Sequence, residues 1–184
     1  MKVKSILVSL FLIVTLSSCK KDSKTAVESS TNENIVKEKN IFTIIINAIV
    51  IKDDSFQVYY KDEEQQPFEE KRSVYAVFKG SNAPQDIVFN IPENVVPNYI
   101  RFDYGINKEQ SEIIVNNIKI CYLGKTFEIK SNELANFISF NEGTLKFNKE
   151  KGSISPFISK DGSYDPMSYT SGALYEKIKL LLKQ

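Results

Sequence analysis

The chain contains no histidine and no tryptophan, and only two cysteines and two methionines among its 184 residues. Without histidine, Ser-His-Asp and Cys-His mechanisms and every His-ligated metal site are excluded. Two cysteines allow at most one disulfide and cannot complete a Cys-only zinc site. Charge of one sign is also missing. With 24 Lys+Arg against 23 Asp+Glu the formal net charge is +1. Nucleic-acid binding calls for a concentrated basic surface, so no nucleic-acid partner is expected. The length fits one domain, with or without a tail.

The two ends of the N-terminal segment differ sharply in character. Lys2 and Lys4 precede an apolar run from Ile6 to Leu16, and Ser17-Ser18-Cys19 follows. That run is too short for a membrane span, which takes about 20 apolar residues, and suits the hydrophobic region of a signal peptide. The ending Leu16-Ser17-Ser18-Cys19 resembles the bacterial lipobox. The resemblance implies cleavage after residue 18, a thioether-linked diacylglycerol on Cys19 and a further acyl chain on its amine. Each buried CH₂ contributes about 0.8 kcal/mol, so two or more chains make a stable anchor. Lys20-Lys21-Asp22 is similar to the start of mature lipoproteins of Bacteroidetes-type bacteria. The implied partner is therefore a lipid bilayer, reached through Cys19. The outer membrane is the expected location, facing either the periplasm or the cell surface.

Residues 19–40 are rich in Lys, Ser, Glu and Asn and lack aromatic residues. Such a segment buries too little apolar surface to offset its ordering entropy, and it reads as a flexible tether spanning about 70 Å when extended. From Ile41 onward the pattern changes to short alternating apolar runs. These include Ile41 to Ile51, Phe56/Val58/Tyr60, Val74/Ala76/Phe78, Ile87/Phe89/Ile91, Ile100/Phe102/Tyr104, Ile114 to Tyr122 and Phe127/Ile129. Each ends in Gly, Pro, Asn or Asp turn chemistry. About seven strands at this spacing predict a mainly β fold over residues 41–184, a β-sandwich or barrel. Asn116 falls in phase with the apolar set of its strand, which marks either a β-bulge or a bonded amide. A short helix through Phe137 and an amphipathic C-terminal helix carrying Leu174, Ile178 and Leu181 complete the expectation.

The block Gly80 to Phe89, then Ile100-Arg101-Phe102-Asp103-Tyr104-Gly105, then Ile113 to Ile120 resembles the second half of jelly-roll sugar-binding modules of bacterial polysaccharide proteins. The resemblance implies a jelly-roll-like sandwich and a glycan ligand. Such modules usually present Trp to the sugar, and here Tyr must serve instead, with its flat apolar face and polar tip. Tyr59, Tyr75 and Tyr104, with Arg101 and Asp103 two residues apart on one strand face, are the candidate ligand-binding residues, and Phe68, Tyr99 and Tyr164 complete the aromatic set. The Asp161-Gly162-Ser163-Tyr164-Asp165 run can supply oxygens to calcium but is also ordinary turn chemistry. No spacing singles out a pair of catalytic carboxylates, and no metal or cofactor is called for. Cys121 reads as an inert thiol. The sequence thus predicts a non-catalytic glycan-binding or accessory lipoprotein. A structural lipoprotein that binds another envelope protein stands beside it as the alternative, with a glycosidase-like enzyme third.

Overall fold

A computed structural model describes residues 40–183. The signal segment, Cys19 and the tether up to residue 39 lie outside the described residues. Eleven strands in two antiparallel sheets pack as a jelly-roll-like sandwich. The first sheet contains β1 (Thr43–Ile49), β4 (Gln85–Asn90), β6 (Ile113–Tyr122), β7 (Lys125–Lys130), β9 (Leu145–Asn148) and β10 (Ser153–Pro156). Its order is β4-β1-β6-β10-β9. β7 pairs with the far part of the same β6 edge that β10 uses near Ile113. The second sheet contains β2 (Asp54–Lys61), β3 (Ser73–Phe78), β5 (Tyr99–Asp103), β8 (Ile138–Phe140) and β11 (Met167–Thr170), in the order β3-β2-β5-β11-β8.

The alternation in the sequence is what makes these elements strands. In β1, Ile44, Ile46 and Ala48 are buried and the residues between them are half-buried. Phe56, Val58, Ile100 and Phe102 face them from the second sheet as part of the same core. Each such side chain contributes about 1.5–3 kcal/mol by leaving water. In β6 the period slips once. Ile113 and Val115 point inward, and so do Ile118 and Ile120. The pairing with β1 skips Asn116 between Asn47–Asn117 and Ala48–Val115. Asn116 is therefore the extra residue of a bulge, which restores the inward phase. Its amide donates to Asn47 Oδ1 at 2.8 Å.

The two expected helices are present. A 3₁₀ turn at Ser131–Glu133 leads into α1 (Leu134–Phe137), and α2 spans Gly172–Leu182. Ser171 caps α2 by accepting from the Leu174 amide at 3.3 Å. Leu174, Ile178 and Leu181 form the buried stripe of α2, which packs against α1, β7 and β11.

The loop between β5 and β6 is held by one buried carboxylate. Asp54 accepts from the amides of Ile106 at 2.9 Å and Asn107 at 3.2 Å, and from the Gln110 side chain at 3.3 Å. Gly105 makes this approach possible. Its φ is +100°, and a Cβ there would run into the Asp54 carboxylate. Gly105→Ala combines backbone strain with that clash, so a loss of roughly 1–3 kcal/mol is expected. Thermal unfolding checks it: Tm should fall by several degrees, and an unchanged Tm would contradict the packing.

Candidate functional site

The core occupies only one face of the second sheet, so every other residue of β2, β3, β5 and β11 points outward. Register sets these residues in rows across the strands. Tyr75, Gln57, Asp103 and Met167 form one row, and Ser73, Tyr59, Arg101 and Tyr169 form the next. Lys61 and Tyr99 pair in the row after that. Four of the five ligand-binding candidates, Tyr59, Tyr75, Arg101 and Asp103, therefore share one face. Tyr104 is corrected. It is 1% exposed, lies in the core and shares a hydrogen bond with Ser168 at 2.7 Å. Gly105 and the start of the loop follow directly, and the β5 alternation puts Tyr104 on the inward side with Phe102 and Ile100.

The segment between β2 and β3 folds back over this face. Its neck is closed by the Arg72–Asp62 ion pair at 2.8 Å. Its far side is pinned through Glu70. The Tyr59 hydroxyl donates to Oε2 of Glu70 at 2.7 Å and the Tyr75 hydroxyl to Oε1 at 2.6 Å. Gln57 donates to both oxygens, at 3.1 and 3.2 Å. The hydrogen bonds from Tyr75, Tyr59 and Gln57 hold the Glu70 carboxyl below its ordinary value. Burial, then Glu70, pushes the Tyr59 phenol up to about 12. Both tyrosine hydroxyls thus stay protonated and serve as donors. Glu70 is not among the residues expected from sequence. Its role arises because side chains of β2 and β3 converge on it, which no local pattern encodes.

Arg101 and Asp103 are likewise engaged with each other. The guanidinium binds the carboxylate through Nε at 2.7 Å and Nη2 at 2.5 Å and reaches Asp165 at 3.5 Å. Its carbon sits 4.7 Å from the Tyr59 ring centroid, so it covers that ring. Burial raises the Asp103 carboxyl above its ordinary value, and Arg101 draws it back only in part. This pair is 20% and 14% exposed, well below the exposed pairs whose contribution is about 0–1 kcal/mol. It organises the face more firmly than a surface ion pair would.

The other rings lie at the end of this face. The returning segment, the start of β5, the end of β11 and the first turn of α2 enclose a cavity of about 410 Å³. Phe68, Tyr99, Tyr169 and Tyr175 line it together with Lys61. Tyr99 and Tyr175 are stacked, with centroids 5.1 Å apart and planes at 16°. Phe68 approaches Tyr169 at 6.1 Å. The volume falls in the range of small-molecule sites, about 300–1,000 Å³. Phe68 and Tyr99 belong to the aromatic set expected from sequence. Tyr169 and Tyr175 were not singled out there, although the outward phase of Tyr169 in β11 and the place of Tyr175 in the first helical turn would have marked them.

The remaining candidates lie elsewhere. Tyr164 is half-buried, and its hydroxyl is enclosed without a partner among the described residues. Asp161 accepts from Ser159 Oγ at 2.6 Å, Ser163 N at 3.0 Å and Ser163 Oγ at 2.9 Å. These bonds lower it to about 2 and tie the carboxylate into its own turn. Cys121 is half-buried, with Thr126 Oγ1 3.5 Å from its sulfur. Among the described residues no group of three His, Cys, Asp or Glu could hold a metal ion.

The cavity wall that carries Phe68 depends on the Glu70 hydrogen bonds, which makes that wall testable. Glu70→Ala should speed amide exchange across residues 62–72 several-fold while leaving the sandwich strands protected. Acid should act in the same direction. A carboxyl with a depressed folded value stabilises the fold above its unfolded value, and that contribution is lost as pH falls through the folded value. Loosening of the segment should therefore begin below the ordinary glutamate value of 4.5. Exchange that is unchanged in the variant would show that Glu70 does not hold the wall.

No family model matches the sequence, and neither a curated protein nor a solved structure matches it.

Proposed function

We propose that the protein is a lipid-anchored bacterial envelope lipoprotein whose sandwich binds glycan without chemistry of its own. The observation that carries this reading is the aromatic cavity of about 410 Å³ lined by Phe68, Tyr99, Tyr169 and Tyr175. Sugar rings present apolar C–H faces, which stack on aromatic rings, while their hydroxyls need nearby polar partners. Tyr99, Tyr175 and Lys61 bring polar groups to the same cavity, while the Thr170 and Ser171 hydroxyls are bonded to the backbone of Ile100, Asn136 and Leu174. Tyr75 extends the ring surface along the sheet, with its side chain 56% exposed. The anchor rests on the Leu16-Ser17-Ser18-Cys19 sequence. The tether would hold this face away from the bilayer.

A contact with another envelope protein is the second reading, favoured by Val77 and Ile106. These apolar side chains are 82% and 78% exposed and line one shallow hollow at the opposite end of the face from the cavity. A stoichiometric envelope partner whose capture is lost in Val77→Asp would favour it.

A glycan array with the chain from Lys20 onward tests the first reading. Binding is expected, with Tyr99→Ala and Phe68→Ala each weakening it at least about tenfold, the scale of an interface aromatic anchor. Silence across the array would remove the glycan reading. For the anchor, Cys19→Ala should abolish fatty-acid labelling and leave the precursor uncleaved, and normal labelling would refute lipidation.

A further inference from the structure

The cavity holds a cation, and that cation narrows the class of glycan. Lys61 lies in the outward phase of β2, and its Nζ is 4.6 Å from the Phe68 ring centroid and 5.6 Å from that of Tyr99. Two backbone carbonyls, Glu64 O at 2.5 Å and Gln66 O at 2.7 Å, accept from it. An ammonium has three protons, so one donor is left over. No carboxylate lies within 4 Å of Nζ among the described residues. Lys61 thus places a net positive charge between two aromatic faces inside the cavity.

The other charges nearby do not cancel it. Glu64 also lines the cavity and its charge reaches Tyr99, but it is solvent-exposed and offsets the half-buried ammonium only in part. Lys179 lies 5.0 Å from the Tyr175 ring and is occupied by Glu176 at 3.7 Å. Ser171 and Gly172 open the first turn of α2 onto the cavity, and the helix dipole there has the same sign as Lys61. A cationic ligand would be repelled. A neutral sugar hydroxyl accepts the ammonium's last proton but leaves its charge uncompensated, whereas an anionic group does both.

Resting on the glycan reading above, we infer that the preferred ligand is an acidic glycan. Its sugar ring occupies the cavity lined by Phe68, Tyr99, Tyr169 and Tyr175, and its carboxylate or sulfate group pairs with Lys61. Lys61 then determines specificity, and the aromatic rings supply the contact that any sugar would share.

The test uses the chain from Lys20 onward and three acidic probes: oligogalacturonate, alginate fragments and chondroitin sulfate fragments. Each is compared with its own neutral form, carboxyl-reduced or desulfated, alongside a general panel of neutral glycans. The expected result is that at least one acidic probe binds, that its neutral form binds at least about tenfold more weakly, and that added salt weakens the acidic form alone. Lys61→Gln should erase the difference between the two forms and Lys61→Arg should keep it. Glu64→Gln should tighten the acidic form and leave the neutral form unaffected, a pattern that general loosening of the wall would not give. Equal binding of both forms, or binding confined to neutral glycans, would overturn the acidic assignment and leave the glycan reading standing. Binding to no glycan at all would overturn both.

Discussion

A strand in a two-layer sandwich can bury only one of its faces, and this constraint shapes the molecule. Phe56, Val58, Ile100 and Phe102 go to the core, so Gln57, Tyr59, Arg101 and Asp103 must face away from it. The inward residues supply most of the stability: truncating one core isoleucine costs about 2–5 kcal/mol. The outward residues contribute far less and are free to be chosen for arrangement. The same rule explains the bulge at Asn116. Without the extra residue, β6 would turn either Ile113 and Val115 or Ile118 and Ile120 out of the core.

A bare outward face would be flat, and flat polar faces bind little. The segment between β2 and β3 gives this one relief. Its ends are joined by Arg72 and Asp62, and Glu70 draws its middle onto the sheet through Tyr59, Tyr75 and Gln57. Phe68 is thereby placed opposite Tyr169, and Lys61 is bent back to the carbonyls of Glu64 and Gln66. The cavity is thus a tertiary product. Its walls come from the returning segment, two strands and the α2 cap, and none of these would form it alone. Tyr59 and Tyr75 act mainly by holding a wall, since both hydroxyls are committed and the Tyr59 ring is covered by Arg101.

This division also explains what could be read from sequence. Alternation and turn chemistry are local, so strands β1 to β7, the bulge residue and both helices were legible, and with them the shared face of Tyr59, Tyr75, Arg101 and Asp103; β8 to β11 are only three or four residues long, too short to show a period. Tyr104 lies one residue past the end of β5 and still keeps the inward phase of Ile100 and Phe102, which buries it. Glu70 and Lys61 were hidden because their partners are brought close by the returning segment. Tyr175 was hidden because the helical pattern near the C-terminus was read for its buried stripe of Leu174, Ile178 and Leu181, and Tyr175 stands beside that stripe.

The outer face of the first sheet provides an internal control for assigning the site to the second. It has the same architecture, with outward residues on β1, β4, β6 and β7. There the outward positions of β1 and β4 carry Thr43, Ile45, Asn47, Asp86, Val88 and Asn90, without an aromatic ring. Its polar groups bond one another directly, Thr43 to Asn90 at 2.9 Å and Asn47 to Asp86 at 2.5 Å. The β-propensity of tyrosine would place rings on either sheet equally. Their concentration on the second sheet, around a cavity whose ammonium has no carboxylate within 4 Å among the described residues, is therefore not explained by strand formation alone.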